Sequence, residues 1–359
     1  MSYFFSKVFF LVLFCVLGCT KALLANETSL SDLELAKIIE QQNRLLKYGK
    51  NWSEEELTRQ AQQIVTNYEN FLIENPDDVN ALLLFGKFLR KTGLYENAVA
   101  LFLQADQINP EIAVVKQELG NFLVEDGKPV EAFPFFLMST RLAPNEPVYH
   151  YNLGNFIFLF DEKLSQMEES EKLGILMHES FKEAAKLDPE NFDYHLRFAQ
   201  SFFDFNHTMQ EEALLAWDTL CAEFGTRSPR ETEYINLNKA RILLDMGRKQ
   251  EAIILLRAVQ SESMQKERNE LLQRAHSIDN KKPKKSSQLN KLFINSSNHL
   301  VNLFPSDPNL RRMKIVTAKL FQERMLQELL LDAVQAKVLA NGDVSLELTH
   351  QTLPSKSLK

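Results

Sequence analysis

The sequence predicts an all-α fold, a superhelical solenoid of antiparallel helix pairs, and three observations predict it. A pattern of small and large apolar residues over Val79–Pro110 returns 34 residues later. Apolar residues follow helical spacing through most of the chain, with little of the Val/Thr alternation that strands need. Glycine and proline are few, 11 and 12 among 359 residues, which leaves little sequence for long loops.

In the Val79–Pro110 template, Leu82, Phe85, Gly86 and Leu89 mark a first helix and Ala98, Phe102 and Ala105 a second. Gly86 lies mid-helix, where a missing Cβ lets the partner helix come close at a propensity cost of ~1 kcal/mol. Lys91-Thr92-Gly93 reads as the turn between the two, and Pro110 stops the second helix. Leu119, Gly120, Leu123, Ala132, Phe136 and Pro144 repeat these places, with Glu125-Asp126-Gly127 as the turn, and Leu153, Gly154 and Ile157 begin a third unit. From these residues the chain resembles the tetratricopeptide repeat family. The resemblance implies helical hairpins stacked into a superhelix that binds protein partners.

Residues 1–25 read as an export signal: Lys7 precedes an apolar run of ten, Val8 to Leu17, too short to span a membrane comfortably. Val16-Leu17-Gly18-Cys19 resembles a bacterial lipobox, which would make Cys19 a lipid attachment site, although Leu17 is larger than the family's usual residue. The alternative is ordinary cleavage after Ala22. Both readings predict an exported chain, periplasmic or tethered as a lipoprotein facing the periplasm.

Residues 30–260 are expected to form the solenoid. Its first unit is degenerate: Ile64, Tyr68, Phe71 and Pro76 fit second-helix places, Ser53 caps that helix, and the first-helix glycine is missing. In the third unit Phe181, Ala184 and Pro189 come eleven residues late. The surplus, Asp161 to Gly174, is acidic and polar and is expected to extend the hairpin tip into solvent. Phe198, Ala199, Phe202, Ala213, Trp217 and Leu220 mark a further unit, and Ala240, Leu243, Gly247, Ala252, Leu256 and Val259 another. Residues 261–288 read as a polar helix and a basic linker, and 289–340 as degenerate helical repeats, two of the helices over Leu310 to Ala340. After Asn341-Gly342 the tail, 341–359, is expected to be polar and frayed.

The formal net charge of −7, from 41 basic and 48 acidic residues, is of the wrong sign for a nucleic-acid binder. Two of three cysteines lie in the leader, so no disulfide framework is available to the mature chain, and Cys221 is expected to be buried. The seven histidines form no metal-ligand motif, and His150 and His195 fall at packing places. No phosphate loop or nucleophile elbow occurs. The chain is therefore expected to have no catalytic activity, cofactor or metal.

The family register implies that the first helix of each unit lines a concave groove. The polar series Lys87, Asn121, Asn155, Gln200 and Arg241 would point into it, joined by Arg90, Gln117, Tyr151, Phe158 and Phe203. Amides carry both donor and acceptor and can bond the backbone of an extended peptide, and the rings supply apolar anchors. The expected partner is a protein or peptide segment. The alternative is a structural part of an envelope assembly, docking through its convex face or the 161–174 insertion.

Overall fold

The computed structural model describes residues 29–204, 209–225, 228–277, 306–324 and 333–348. The described chain is helical apart from one β-hairpin, and it divides into two compact units. Met1–Pro110 with Leu320–Lys359 makes the first, and Glu111–Lys319 the second.

The first unit holds α1 (Leu30–Tyr48), α2 (Glu54–Glu74), α3 (Val79–Lys91) and α4 (Tyr95–Ile108). Three of these begin on a side-chain cap. Ser29 and Asp32 cap α1 reciprocally, the Ser53 hydroxyl accepts from Glu56 N–H, and the Asp78 carboxylate accepts from Ala81 N–H. Between α3 and α4 the chain turns at Gly93, whose φ of +95° suits a residue without Cβ. Leu94 N–H then donates back to Leu89 O at 2.8 Å, filling an orphan carbonyl at the end of α3. Tyr68 of α2 stacks on Phe85 of α3, ring centroids 4.8 Å apart, and donates its hydroxyl to Gln42 Oε1 of α1 at 2.7 Å.

The close approach predicted at Gly86 is present. A Cβ added to Gly86 would stand 2.6 Å from the Phe102 ring of α4.

The second unit holds α5 (Ala113–Glu125), α6 (Pro129–Leu142), α7 (Pro147–Leu164), α8 (Ser170–Leu187), α9 (Phe192–Ser201), α10 (Gln210–Phe224), α11 (Pro229–Asp245), α12 (Lys249–Ala258), α13 (Gln265–Ser277) and most of α14 (Ser306–Arg324). The same device recurs in it. A Cβ on Gly120 would come within 3.1 Å of the Phe136 ring, and one on Gly154 within 2.7 Å of the Phe181 ring. Phe136 in turn stacks on Phe156 of α7 at 4.4 Å, so a ring from one pair fills the next. Further along, Ala199, Trp217, Ala240, Leu243, Ala252 and Leu256 belong to one continuous core.

Four expectations need correction. The second helix expected up to Ala340 is a strand, β1 (Val334–Val338), and the tail expected to fray carries β2 (Val344–Leu348). The two pair antiparallel, Ala336 opposite Leu346. Val334, Ala336, Val344 and Leu346 are buried while Gln335 and Glu347 are exposed, so period-two alternation is present after all. Part of the Asp161–Gly174 surplus lengthens helices instead of looping into water: α7 continues to Leu164 past a kink at Phe160, and Leu164 and Leu173 are both buried. Glu168, in the turn that remains, pairs with Arg312 of α14 at 3.2 Å. Cys221 is exposed, because α10 buries Ala213, Leu214, Ala216, Trp217 and Leu220 on other faces. The leader with Cys19, the basic linker and the start of the 289–340 stretch lie outside the described residues.

Candidate functional site

The register residues fall into the two units. In the first, Lys87 is exposed and Arg90 half-buried, one turn apart on α3. The remainder belong to the second unit, on its first helices α5, α7, α9 and α11.

On α5, Gln117 is buried and does not face an open groove. Its amide donates to Asn121 Oδ1 at 3.3 Å, and its carbonyl accepts from the Ser139 hydroxyl of α6 at 3.3 Å. Gln117 is thus a structural amide that orients Asn121, which is half-buried. Helix packing overrode the register here, because α6 approaches closely over Gly120.

On α7, Tyr151 and Asn155 are half-buried and Phe158 is 46% exposed. Tyr151 meets Phe181 of α8 edge-on at 6.0 Å and Tyr194 of α9 at 4.7 Å. Burial, then Asp188, raises the Tyr194 phenol above its ordinary value. Phe158 is held by a residue outside the register. The Arg197 guanidinium of α9 lies 4.2 Å from the Phe158 ring centre and 4.4 Å from that of Phe181, and its Nη1 donates to Asp204 at 2.7 Å.

On α9 and α11 a second group forms. Gln200 donates its amide to the Tyr234 hydroxyl at 3.0 Å, and the Arg241 guanidinium lies 4.4 Å over Phe203. Behind them the buried Trp217 contacts Phe203 at 6.2 Å and Tyr234 at 5.9 Å. Gln200, Phe203 and Arg241 are all half-buried. Sequence reasoning missed Arg197, Tyr194 and Tyr234. Their signal was an arginine inside the aromatic-rich run Phe192–Phe203 and a tyrosine opening the next helix pair.

The arrangement offers planar donors laid on ring faces, and amides on the same first helices. It can hold a polar backbone and apolar side chains side by side. Among the described residues no three His, Cys, Asp or Glu side chains gather where a metal ion could sit. Among the same residues no helix is long and apolar enough to cross a membrane.

The repeated glycine–phenylalanine pairs and capped hairpins define an all-α helical repeat protein. Residues 79–112 match the family model described as tetratricopeptide repeat. The chain is similar to the structure of YrrB, described as a TPR protein with an unusual peptide-binding site, at 17% identity over 59% of this chain and 98% of that one, TM-score 0.46. It is also similar to PilW, described as a widely conserved type IV pilus biogenesis factor, at 16% identity over 67% of this chain and 98% of that one, TM-score 0.42. Similarity to Pseudomonas aeruginosa PilF is 16% identity over 65% and 97% of the two chains, TM-score 0.41. No curated protein matches the chain.

Proposed function

We propose that the chain is a non-enzymatic protein–protein interaction scaffold that captures an extended peptide segment on the first helices of its second unit. The observation that carries this reading is the half-exposed set Asn155, Gln200 and Arg241, on α7, α9 and α11, with Gln200 bonded to Tyr234 and Arg241 laid on Phe203. Gln200 is already tied to Tyr234 and Arg241 already laid on Phe203, so little side-chain freedom is left to lose on binding. Asn121, oriented by Gln117, continues the amide series onto α5. In this reading the chain works in the bacterial cell envelope, exported through residues 1–25 and either tethered at Cys19 or released after Ala22.

A second reading is an envelope assembly component that docks through the Asp161–Gly174 segment. It draws support from Phe158 and Leu159, 46% and 68% exposed just ahead of that segment.

Selection from a peptide library, followed by titration, tests the first reading. Asn121→Ala with Asn155→Ala is expected to lower affinity about tenfold while the melting curve stays in place. Unchanged affinity in that variant and in Arg241→Ala excludes the first-helix row. Loss of binding only when residues 161–174 are shortened favours the second reading.

A further inference from the structure

The β-hairpin, the one strand pair among the described residues, is not accounted for by the repeat pattern. It docks on the opposite end of the sequence, within the first unit. The Thr58 hydroxyl of α2 donates to Ala336 O at 3.2 Å and accepts from Ala336 N–H at 3.0 Å. Gln62, one turn further on, accepts from Val334 N–H at 2.7 Å through its Oε1. At the other edge of the hairpin, Leu346 N–H donates to Thr92 O at 2.7 Å.

Geometry explains why a helix can read a strand in this way. Four residues of α-helix rise about 6 Å, and two residues of strand rise about 6.6 Å. Thr58 and Gln62 therefore match Ala336 and Val334, whose polar backbone groups point away from β2. Each of these four hydrogen bonds goes to the hairpin's backbone, and the side chains pressed inward are Val334, Ala336, Val344 and Leu346. Val344 sits over Gly49, where an added Cβ would come 3.3 Å from its methyl. Such a surface selects an extended backbone with apolar residues at alternate places and sets few other demands. A lone two-stranded hairpin is marginal in water, so the hairpin folds and docks as one event.

We propose that this face of α2 is a strand-docking site, separate from the first-helix row. Its partner is an extended protein segment with apolar residues, at least one of them small, at alternate positions. The chain's own hairpin is the resident occupant and competes with that partner from within the molecule. Access to the site is then set by how readily residues 334–348 detach, because an intramolecular competitor acts at high effective concentration.

The probe is a fluorescent peptide with the sequence of residues 333–348, titrated against the full chain and against Val344→Asp with Leu346→Asp, which removes the hairpin's apolar hold. The released variant is expected to take up one peptide, at least about tenfold more tightly than the unaltered chain. Adding Thr58→Val and Gln62→Leu should weaken uptake again by about tenfold, as loss of these backbone contacts predicts. No uptake by a released variant that keeps its helical circular dichroism overturns the proposal, as does uptake indifferent to Thr58 and Gln62. Dimerisation of that variant without peptide uptake overturns it too, by placing a second copy's strand in the site. Should the variant not fold, hydrogen exchange of the unaltered chain decides. Exchange of the Val334, Ala336 and Leu346 amides while α2 stays protected supports a detachable occupant, and exchange only together with α2 overturns it.

Discussion

The ring of Phe181 fills the place where a Cβ on Gly154 would stand, its Cε1 2.7 Å from that point. The same relation links Phe102 to Gly86, although Phe181 lies eleven residues further from its glycine than Phe102 does. Lengthening α7 and α8 absorbs the difference and preserves the contact.

Alanine at these glycines is therefore expected to destabilise, although alanine is the better helix former by ~1 kcal/mol. Overpacking against a buried ring costs about 1–3 kcal/mol, so Gly154→Ala and Gly86→Ala should both lower the urea midpoint. Gly120→Ala should cost less, since its nearest ring atom is 3.1 Å away. Equal or higher midpoints in the first two would show that the rings yield freely.

Tyr68 and Gln42 form a buried pair between α2 and α1. Burial raises the Tyr68 phenol above its ordinary value, because the charged form loses its hydration there. Tyr68→Phe leaves Gln42 Oε1 without this donor and is expected to cost about 1–2 kcal/mol. Gln42→Leu in the Tyr68→Phe background should recover part of that loss. A double-mutant cycle by chemical denaturation measures the coupling, and a coupling near zero would deny the bond a role in stability.

Arg197 joins three elements of the second unit through Phe158, Phe181 and Asp204. Arg197→Met keeps much of the stem but removes the charge and leaves Asp204 without this partner, with an expected cost of about 1–3 kcal/mol. Arg197→Lys should fall between, because an ammonium restores the charge but not the flat contact. Thermal unfolding checks the order Arg, Lys, Met.

Glu179 of α8 is buried, and this desolvation, partly offset by Lys182, raises its carboxyl above the ordinary value of 4.5. Glu183 and Glu212 push it the same way. In the folded chain it thus holds its proton to higher pH than in the unfolded chain. Its contribution is favourable below the unfolded value and is lost as pH rises from there through the folded value. Glu179→Gln should remove that decline, so the gap between variant and unaltered chain widens as pH rises from 4.5 towards neutral. Parallel stability–pH curves would mean that the carboxyl is relieved by water in solution.

Much of the fold was legible because helix pairs are local. Gly86 and Phe102, or Gly120 and Phe136, are sixteen residues apart, and the turn at Gly93 sits between the helices it joins. The hairpin was legible in part: Asn341-Gly342 stands between Val334-Gln-Ala-Lys-Val and Val344-Ser-Leu-Glu-Leu, two alternating runs about a turn signal. Leu, Ala, Lys and Gln, which also favour helix, hid that alternation. At the candidate site the register led to Tyr151, Phe158, Gln200, Phe203 and Arg241 as expected groove residues; it could not reveal that Arg197 orders Phe158 or that Gln117 turns inward to Ser139.

Periodicity, small residues and turn glycines determined by themselves that this chain makes paired helices, because each acts on neighbours within one hairpin. Only the tertiary structure decided that β1 lies on α2, since Thr58 and Ala336 are 278 residues apart and neither carries a mark of the other. The same holds for the guanidinium of Arg197 between two rings from α7 and α8. A contact that closes so long a stretch of chain depends on the shapes of both surfaces at once, and no local pattern encodes that joint fit.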